Sequence, residues 1–474
     1  MRKFDVVCIG AGIAAFGALA ALADRTRRPS VLLLDGGAID HPALRQSTLC
    51  PVDQRGRWSS QHFGLPAVRS FGDGGTSRLW HGGLFVPHPV DEVVSALPLS
   101  SGRGPAPRWN LEAGLEALCQ SPNLSAQGIA TWLQVVRELC AEQAARPEGD
   151  PWRSILIPVT PPWLPAGRFA QADSSWLTRD RGMVLDITRG TDAWELRVVR
   201  DDGFEVVQAE HILLCAGCLS SLSLLSSLAR QAHHGYADHL HVFVGVLSKR
   251  QLPPGLRACL TVVRDPTRKF SLRRIWKTTV ADDLGREVDV SLSFRSVANP
   301  HFPRAGRSFG AFVGSRAATR WSKLALGLKN PLTAVEMLGY KYGHEFPFEH
   351  VLVHATIAPR FPVGQVGAGH LTFEPERELL GRCGLKALEK FQSQVALAPA
   401  SLECFSLDEV ASSLISGAQF CAGSAYAAPM AECLRGHGDS LAICDTAGMA
   451  FTSIYNQGLL SLVRGHRLAS LIAS

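Results

Sequence analysis

The stretch Phe4-Asp5-Val6-Val7-Cys8-Ile9-Gly10-Ala11-Gly12-Ile13-Ala14-Ala15 decides the fold. Its first six residues read as a buried strand, and Phe16 to Ala23, rich in Ala and Leu, reads as a helix. Gly10 allows a tight strand-to-helix turn, Gly12 lets the backbone approach a pyrophosphate, and Ala15 permits close packing of helix on strand. The helix start at Ile13 and Ala14 offers unpaired N–H groups and a positive dipole end to an anion. A second apolar strand, Val31 to Leu34, ends in Asp35-Gly36, with Asp35 placed 20 residues after Ala15. A carboxylate there reaches ribose hydroxyls. Alone, Gly-x-Gly-x-x-Ala says little. Between two strands, opening a helix, with an acid at this distance, it reads as a dinucleotide-binding start.

The rest of the chain fits a large globular protein. It has 474 residues, 46% hydrophobic and 19% charged, with 44 glycines, which suits an α/β fold of two or three domains' worth of core. The basic N-terminus followed by an apolar run resembles a signal peptide, but Gly10, Gly12 and an acidic second strand argue against one. No purely apolar run reaches 18 residues, so a membrane-spanning helix is not expected. Twelve cysteines are scattered along the chain, several inside apolar strands (Cys8, Cys215, Cys444). They read as reduced packing residues and imply a cytoplasmic compartment. Cys215 and Cys218 form a Cys-x-x-Cys without the second pair that a zinc site needs. Charge is uneven: Arg230 to Lys329 holds 18 Lys/Arg against 6 Asp/Glu, while the whole chain carries only +6. Such a block suits an anionic substrate, an acidic partner or a peripheral membrane surface, and equally a solvated face. Nothing in the chain points to nucleic acid. No second strand–Gly-x-Gly-x-x-Gly–helix occurs, which argues against a reductase that binds two dinucleotides.

Three further segments carry a family resemblance. Gly72-Asp73-Gly74-Gly75-Thr76-Ser77-Arg78-Leu79-Trp80-His81-Gly82-Gly83 resembles the second flavin motif of the glucose–methanol–choline oxidoreductases. His211-Ile212-Leu213-Leu214-Cys215-Ala216-Gly217 is similar to that family's strand–Ala-Gly–helix segment. Leu441 to Asp445, through Asn456 to the last helix, resembles its closing strand, acid, loop and helix. Ala237-Asp238-His239-Leu240 is a weaker match. The matches run in family order and cover about half the chain.

The resemblance implies an FAD-dependent oxidoreductase that oxidises an alcohol-like small molecule by hydride transfer to flavin N5 and passes the electrons to an acceptor. The implied cofactor contacts are Gly10, Gly12, Ile13, Ala14, Ala15, Asp35, Gly36, Gly74, Gly75, Thr76, Ser77, Val184, Ala216, Gly217, Asp445 and Asn456. Asn456 stands about eleven positions after the strand-end acid, as the second member of the family's catalytic pair does. The first member departs: the family has His three residues before a Gly-Thr pair, and here Phe420 precedes Gly423-Ser424. Phe cannot accept a proton. Tyr426, Gln419, His81, His239 and His437 are candidates to replace it, and Tyr426 and Gln419 flank the altered position. Covalently flavinylated relatives carry His two residues after the motif's Ser. Leu79 occupies that place here and His81 is shifted by two, so noncovalent FAD is expected.

Between these segments, Asp201-Asp202-Gly203 marks a turn between two alternating strands. Val288 to Phe294 and Val351 to Ile357 also alternate and suggest an antiparallel sheet forming a substrate wall. Residues 316–342 are basic and amphipathic, with a helix start at Asn330-Pro331. The expected architecture is α/β: a doubly wound, Rossmann-like FAD domain (1–90, 170–235 and 405–474) with an inserted antiparallel substrate or cap domain (91–169 and 236–404). Phe420 keeps two other readings open. One is a flavoenzyme for isomerisation, elimination or maturation of a partner protein; the other is an FAD-stabilised protein at a membrane surface.

Overall fold

The computed structural model describes residues 1–36, 39, 41, 57–60, 65–70, 84–86, 88, 94–96, 111–122, 130–158, 169, 175–229, 233–260, 262–265, 270–297, 331, 348–367, 370–416, 420–422, 440–452, 454 and 457–472. Two large sheets dominate it.

The first sheet has the strand Arg2–Ile9 at its centre. It pairs in parallel with Val31–Asp35 on one side and with Gly203–Leu214 on the other, and Leu177–Arg181 lies outside Val31–Asp35, also parallel. The far edge of Gly203–Leu214 is shared. Residues 203–209 pair antiparallel with Trp194–Arg200, which pairs in turn with Met183–Arg189, while residues 212–214 pair in parallel with Leu441–Ile443. The hairpin turns at Asp201-Asp202-Gly203, where Gly203 takes φ 146°, a conformation glycine adopts at little cost.

The central strands are apolar without alternation because both faces are covered. Val6, Cys8, Val31, Leu33 and Leu213 face a core shared with helices Ile13–Ala23 and Gln457–Ile472. Val7, Ile9, Leu32, Leu34, Ile212 and Leu214 face a second core shared with helix Cys218–Leu228 and the 183–200 hairpin. Helix Ile13–Ala23 is apolar all round, and its residues 14–23 are buried, as expected of a helix enclosed on every side. It crosses the last helix at glycines. A Cβ on Gly17 would lie 2.2 Å from the Leu462 carbonyl oxygen, and one on Gly465 would lie 2.1 Å from that of Ala14. The two helix backbones therefore touch directly.

The second sheet is antiparallel. In order across it run Leu402–Cys404, Leu240–Ser248, His350–Pro359, Glu287–Val297, Phe270–Ala281, Trp152–Pro158 and Leu84–Val86, with Val263–Asp265 and Ile415–Ser416 added alongside. Helix Arg377–Gln394 covers one face, burying Leu380, Cys383, Ala387, Leu388 and Phe391 against Val242, Val244, Trp276, Leu292, Phe294 and Ala355. The Trp276 and Phe391 rings meet edge-on at 5.5 Å. This core is continuous with the second core of the parallel sheet. A small sheet joins the two halves: His233–Ala237 pairs with Gly364–Gly367 and with Cys421–Ala422.

Candidate functional site

The carboxyl ends of the parallel strands gather the sequence-marked residues. Gly10 takes φ 99° and donates its N–H to the Leu34 carbonyl at 2.8 Å. A Cβ there would meet Ala216 Cα and the Cys215 carbonyl oxygen, each at 2.6 Å. Gly10 thus lets the first turn lie against the end of the 203–214 strand. Gly12 caps the following helix without any side-chain capping bond. The nearest atom to a Cβ on Gly12 is the Cys215 carbonyl oxygen at 3.7 Å, so the approach to the helix start is open. Ala14 and Ala15 are buried in that first turn, and Ile13 is half-buried.

Asp35 ends its strand with the side chain buried, and Arg179 on the neighbouring strand donates to its carboxylate at 3.0 Å. Gly36 follows, half-buried. Val184 is buried on Met183–Arg189, in the core beneath this edge. Ala216 is half-buried, and Gly217, at φ 81°, is the exposed N-cap of helix Cys218–Leu228, with no atom within 4 Å of where a Cβ would stand. Cys215 and Cys218 are buried cysteines outside any disulfide.

Asp445 ties this end together. Its carboxylate accepts from the Gly217 N–H at 2.9 Å, the Ser221 hydroxyl at 2.6 Å and the Ala447 N–H at 2.9 Å. Burial pushes its pKa up, opposed by those bonds and by Arg464. Arg464 is itself buried on the last helix and donates Nε–H to the Ile443 carbonyl at 2.7 Å. Burial lowers its pKa to about 10. Asp445 therefore caps one helix and the turn after its own strand, and holds the closing segment on the Ala-Gly segment.

Phe420, which the sequence resemblance sets where a catalytic histidine would stand, is a packing residue. It is buried, its ring meets Tyr236 edge-on at 5.5 Å, and its carbonyl accepts from the Thr446 hydroxyl at 2.6 Å. His239 is buried two residues before His241. Gly74, Gly75, Thr76, Ser77, His81, Gln419, Tyr426, His437 and Asn456 lie outside the described residues, as does most of 298–347. Ile454 and Gln457 bracket Asn456. Ile454 is fully buried against Ile275 and Ala358 of the antiparallel sheet, and Gln457 opens the last helix. Ile454 therefore packs on the sheet face opposite helix Arg377–Gln394.

That face holds side chains the sequence reading passed over: His241, His354, Ser293 and Thr356. His241 contacts Thr356 and His354 contacts Ser293 through hydrogen bonds at 3.1 Å. Strand alternation marks them only as the polar side of a half-buried sheet, and no local signal says that this side is enclosed. Among the described residues, no helix is long and apolar enough to cross a membrane.

No protein-family model and no curated protein sequence matches the chain. Solved structures do. A fungal aryl-alcohol oxidase superposes with a TM-score of 0.52 at 13% identity, covering 100% of this chain and 99% of its own. A variant of the formate oxidase of Aspergillus oryzae, studied for FAD modification, superposes with a TM-score of 0.50 at 13% identity, covering 99% of this chain and 98% of its own. At such identities the likeness speaks for architecture, and over its whole length the chain has the fold of these two oxidases.

Proposed function

We propose that the chain is an FAD-dependent oxidoreductase of the glucose–methanol–choline type, acting on an alcohol-like small molecule and passing electrons to a separate acceptor. The observation that carries this reading is the end of the parallel sheet. Two helix starts without side-chain caps, at Gly12 and Gly217, flank Asp35 and Asp445, and both glycines leave open the space a Cβ would take. An anionic dinucleotide fits such a cradle: the pyrophosphate at the helix start after Gly12, the ribose hydroxyls at Asp35. The likeness to the two oxidases and the ordered motifs support the same reading, including a doubly wound nucleotide-binding half.

Bound there, FAD would accept a hydride equivalent from the substrate. The chain's own part is to hold and orient. Arg179 fixes the Asp35 carboxylate at the strand end, where it would meet a ribose hydroxyl. Asp445 fixes Gly217, and the start of the last helix, with Asn456 before it, would favour negative charge on a flavin ring bound there. Asn456, Tyr426, Gln419 and His81 are the proposed pocket residues from the motif segments. The test is flavin content: denaturing the freshly purified protein should release free flavin in near-stoichiometric amount. A preparation that never holds flavin, even after reconstitution with FAD, rejects the reading.

Phe420, packed on Tyr236 with no group to take a proton, favours one second reading, a flavoenzyme that isomerises or eliminates. Anaerobic mixing with substrate separates the two. Net flavin reduction supports oxidation, and product without reduction supports the rival.

A further inference from the structure

On the face of the antiparallel sheet opposite helix Arg377–Gln394, two histidines are stacked. The His241 and His354 rings sit 4.8 Å apart at 29°, on adjacent strands, and Phe243 packs beside His354 at 5.5 Å. A hydroxyl holds each Nδ1: Thr356 Oγ1 at 3.1 Å from His241, and Ser293 Oγ at 3.1 Å from His354. Ser293 also donates its proton to the His354 carbonyl at 3.3 Å. With the Ser293 proton on that carbonyl, its oxygen accepts from the Nδ1–H of His354, the tautomer that leaves a lone pair on Nε2. Neither Nε2 has a hydrogen-bond partner among the described residues.

The pair belongs to a polar surface that is otherwise enclosed. One row across the sheet runs His241, Thr356, Ser291, Lys277; the next runs Phe243, His354, Ser293, Ile275. The Ser291 hydroxyl is buried and has no partner among the described residues. Buried polar groups without protein partners are costly unless a bound molecule or water satisfies them. The same face meets the candidate site. Ile454 packs on Ala358, which lies two residues along the strand from Thr356, about 7 Å away at a strand's rise. His241 pairs with Ile415, five residues before Phe420.

We infer that His241 and His354 form the hydroxyl-binding and proton-accepting site of this enzyme, in the role that Phe420 cannot fill. This rests on the flavin-dependent oxidation proposed above. In the step, the substrate hydroxyl donates to Nε2 of His354. Its O–H bond breaks with the proton moving to that nitrogen, and the carbinol C–H bond breaks with its electron pair passing to oxidised flavin, leaving a carbonyl. Burial, and then the charge of Arg295, hold the His354 pKa at about 4, so the ring is neutral near pH 7 and its lone pair is available. Burial and then His354 and His239 push His241 down as well. The other charged groups on this face include Arg153, Arg273, Lys277 and Asp289. So weak a base takes the proton as the hydride leaves, when the alcohol oxygen becomes strongly acidic.

The test begins with flavin content and thermal stability of wild type, His354→Asn, His241→Asn and Ser293→Ala. The holoproteins are then mixed anaerobically with glycerol, xylitol and benzyl alcohol while flavin absorbance is followed. At least one alcohol should bleach the wild-type flavin. His354→Asn should slow that bleaching by about 100-fold or more with flavin retained, and its KM should move by less than about tenfold. Added imidazole should restore part of the rate in His354→Gly. Ser293→Ala, which leaves both rings in place, should slow it by about tenfold, and this variant decides the matter if the histidine variants do not fold. Bleaching at the wild-type rate in the folded variants overturns the inference, and so does a flavin-loaded wild type that none of the alcohols bleaches. A wild type without flavin refutes the underlying reading, and the content measurement made first identifies that failure.

Discussion

The two large sheets bury their residues by opposite rules. The parallel sheet is apolar on both faces, and its chemistry is confined to the strand ends, at Gly10, Asp35, Gly217 and Asp445. The antiparallel sheet is apolar only under helix Arg377–Gln394 and keeps His241, Thr356, Ser293 and His354 on its other face. The difference teaches where each kind of function can reside. A sheet covered on both sides can bind only at its ends, where backbone groups and helix dipoles emerge. A sheet covered on one side can offer a whole face of side chains to a substrate.

The largest effect should come from the doubly covered side. Gly17→Ala or Gly465→Ala would force a Cβ onto a facing carbonyl in the helix crossing. Each should cost about 3 kcal/mol or more, because backbone cannot yield as a side chain can. Thermal unfolding of the purified variants checks this; unchanged melting would mean that the helices do not cross as described.

A smaller loss is expected at the strand ends. Asp445→Asn keeps the shape but replaces a carboxylate that accepts three hydrogen bonds. It should destabilise by about 2–3 kcal/mol and lower flavin occupancy, as read by melting and released flavin.

The smallest effect belongs to the polar face and depends on pH. His354 has a folded pKa of about 4, below its unfolded value near 6.5. Between these values the unfolded chain binds the proton and the folded chain does not. Stability is therefore full above about pH 6.5, falls as pH drops towards 4, and levels off below that. The expected loss is on the order of 2 kcal/mol, reduced from the full shift because the ring is only partly buried. His354→Asn should flatten this slope in melting curves taken across the window. An equal slope in the variant would show that another group titrates there.

Legibility followed the same division. Gly-x-Gly-x-x-Ala, the acid after it and the apolar strands around them could be read because their signals are local: spacing, turn geometry and a switch of hydrophobic period. The two strands flanking the turn at 201–203, and those holding 288–294 and 351–357, were also visible as alternation. The histidine pair was not. His241 and His354 are 113 positions apart, and each alone looks like a polar residue on the solvent side of a strand. Phe420 was recognised as a departure, but only its packing on Tyr236 shows what it does instead.

By itself, the sequence determined the glycine turn with its helix and the acid-ended strands, because each is set by residues within a few positions of one another. Only the tertiary structure decided that Asp445 caps the helix after Gly217, that two helices touch through Gly17 and Gly465, and that two distant strands stack their imidazoles on an enclosed face. Those contacts join segments tens to hundreds of residues apart. Strand register and helix crossing fix them, and neither is encoded in any local pattern.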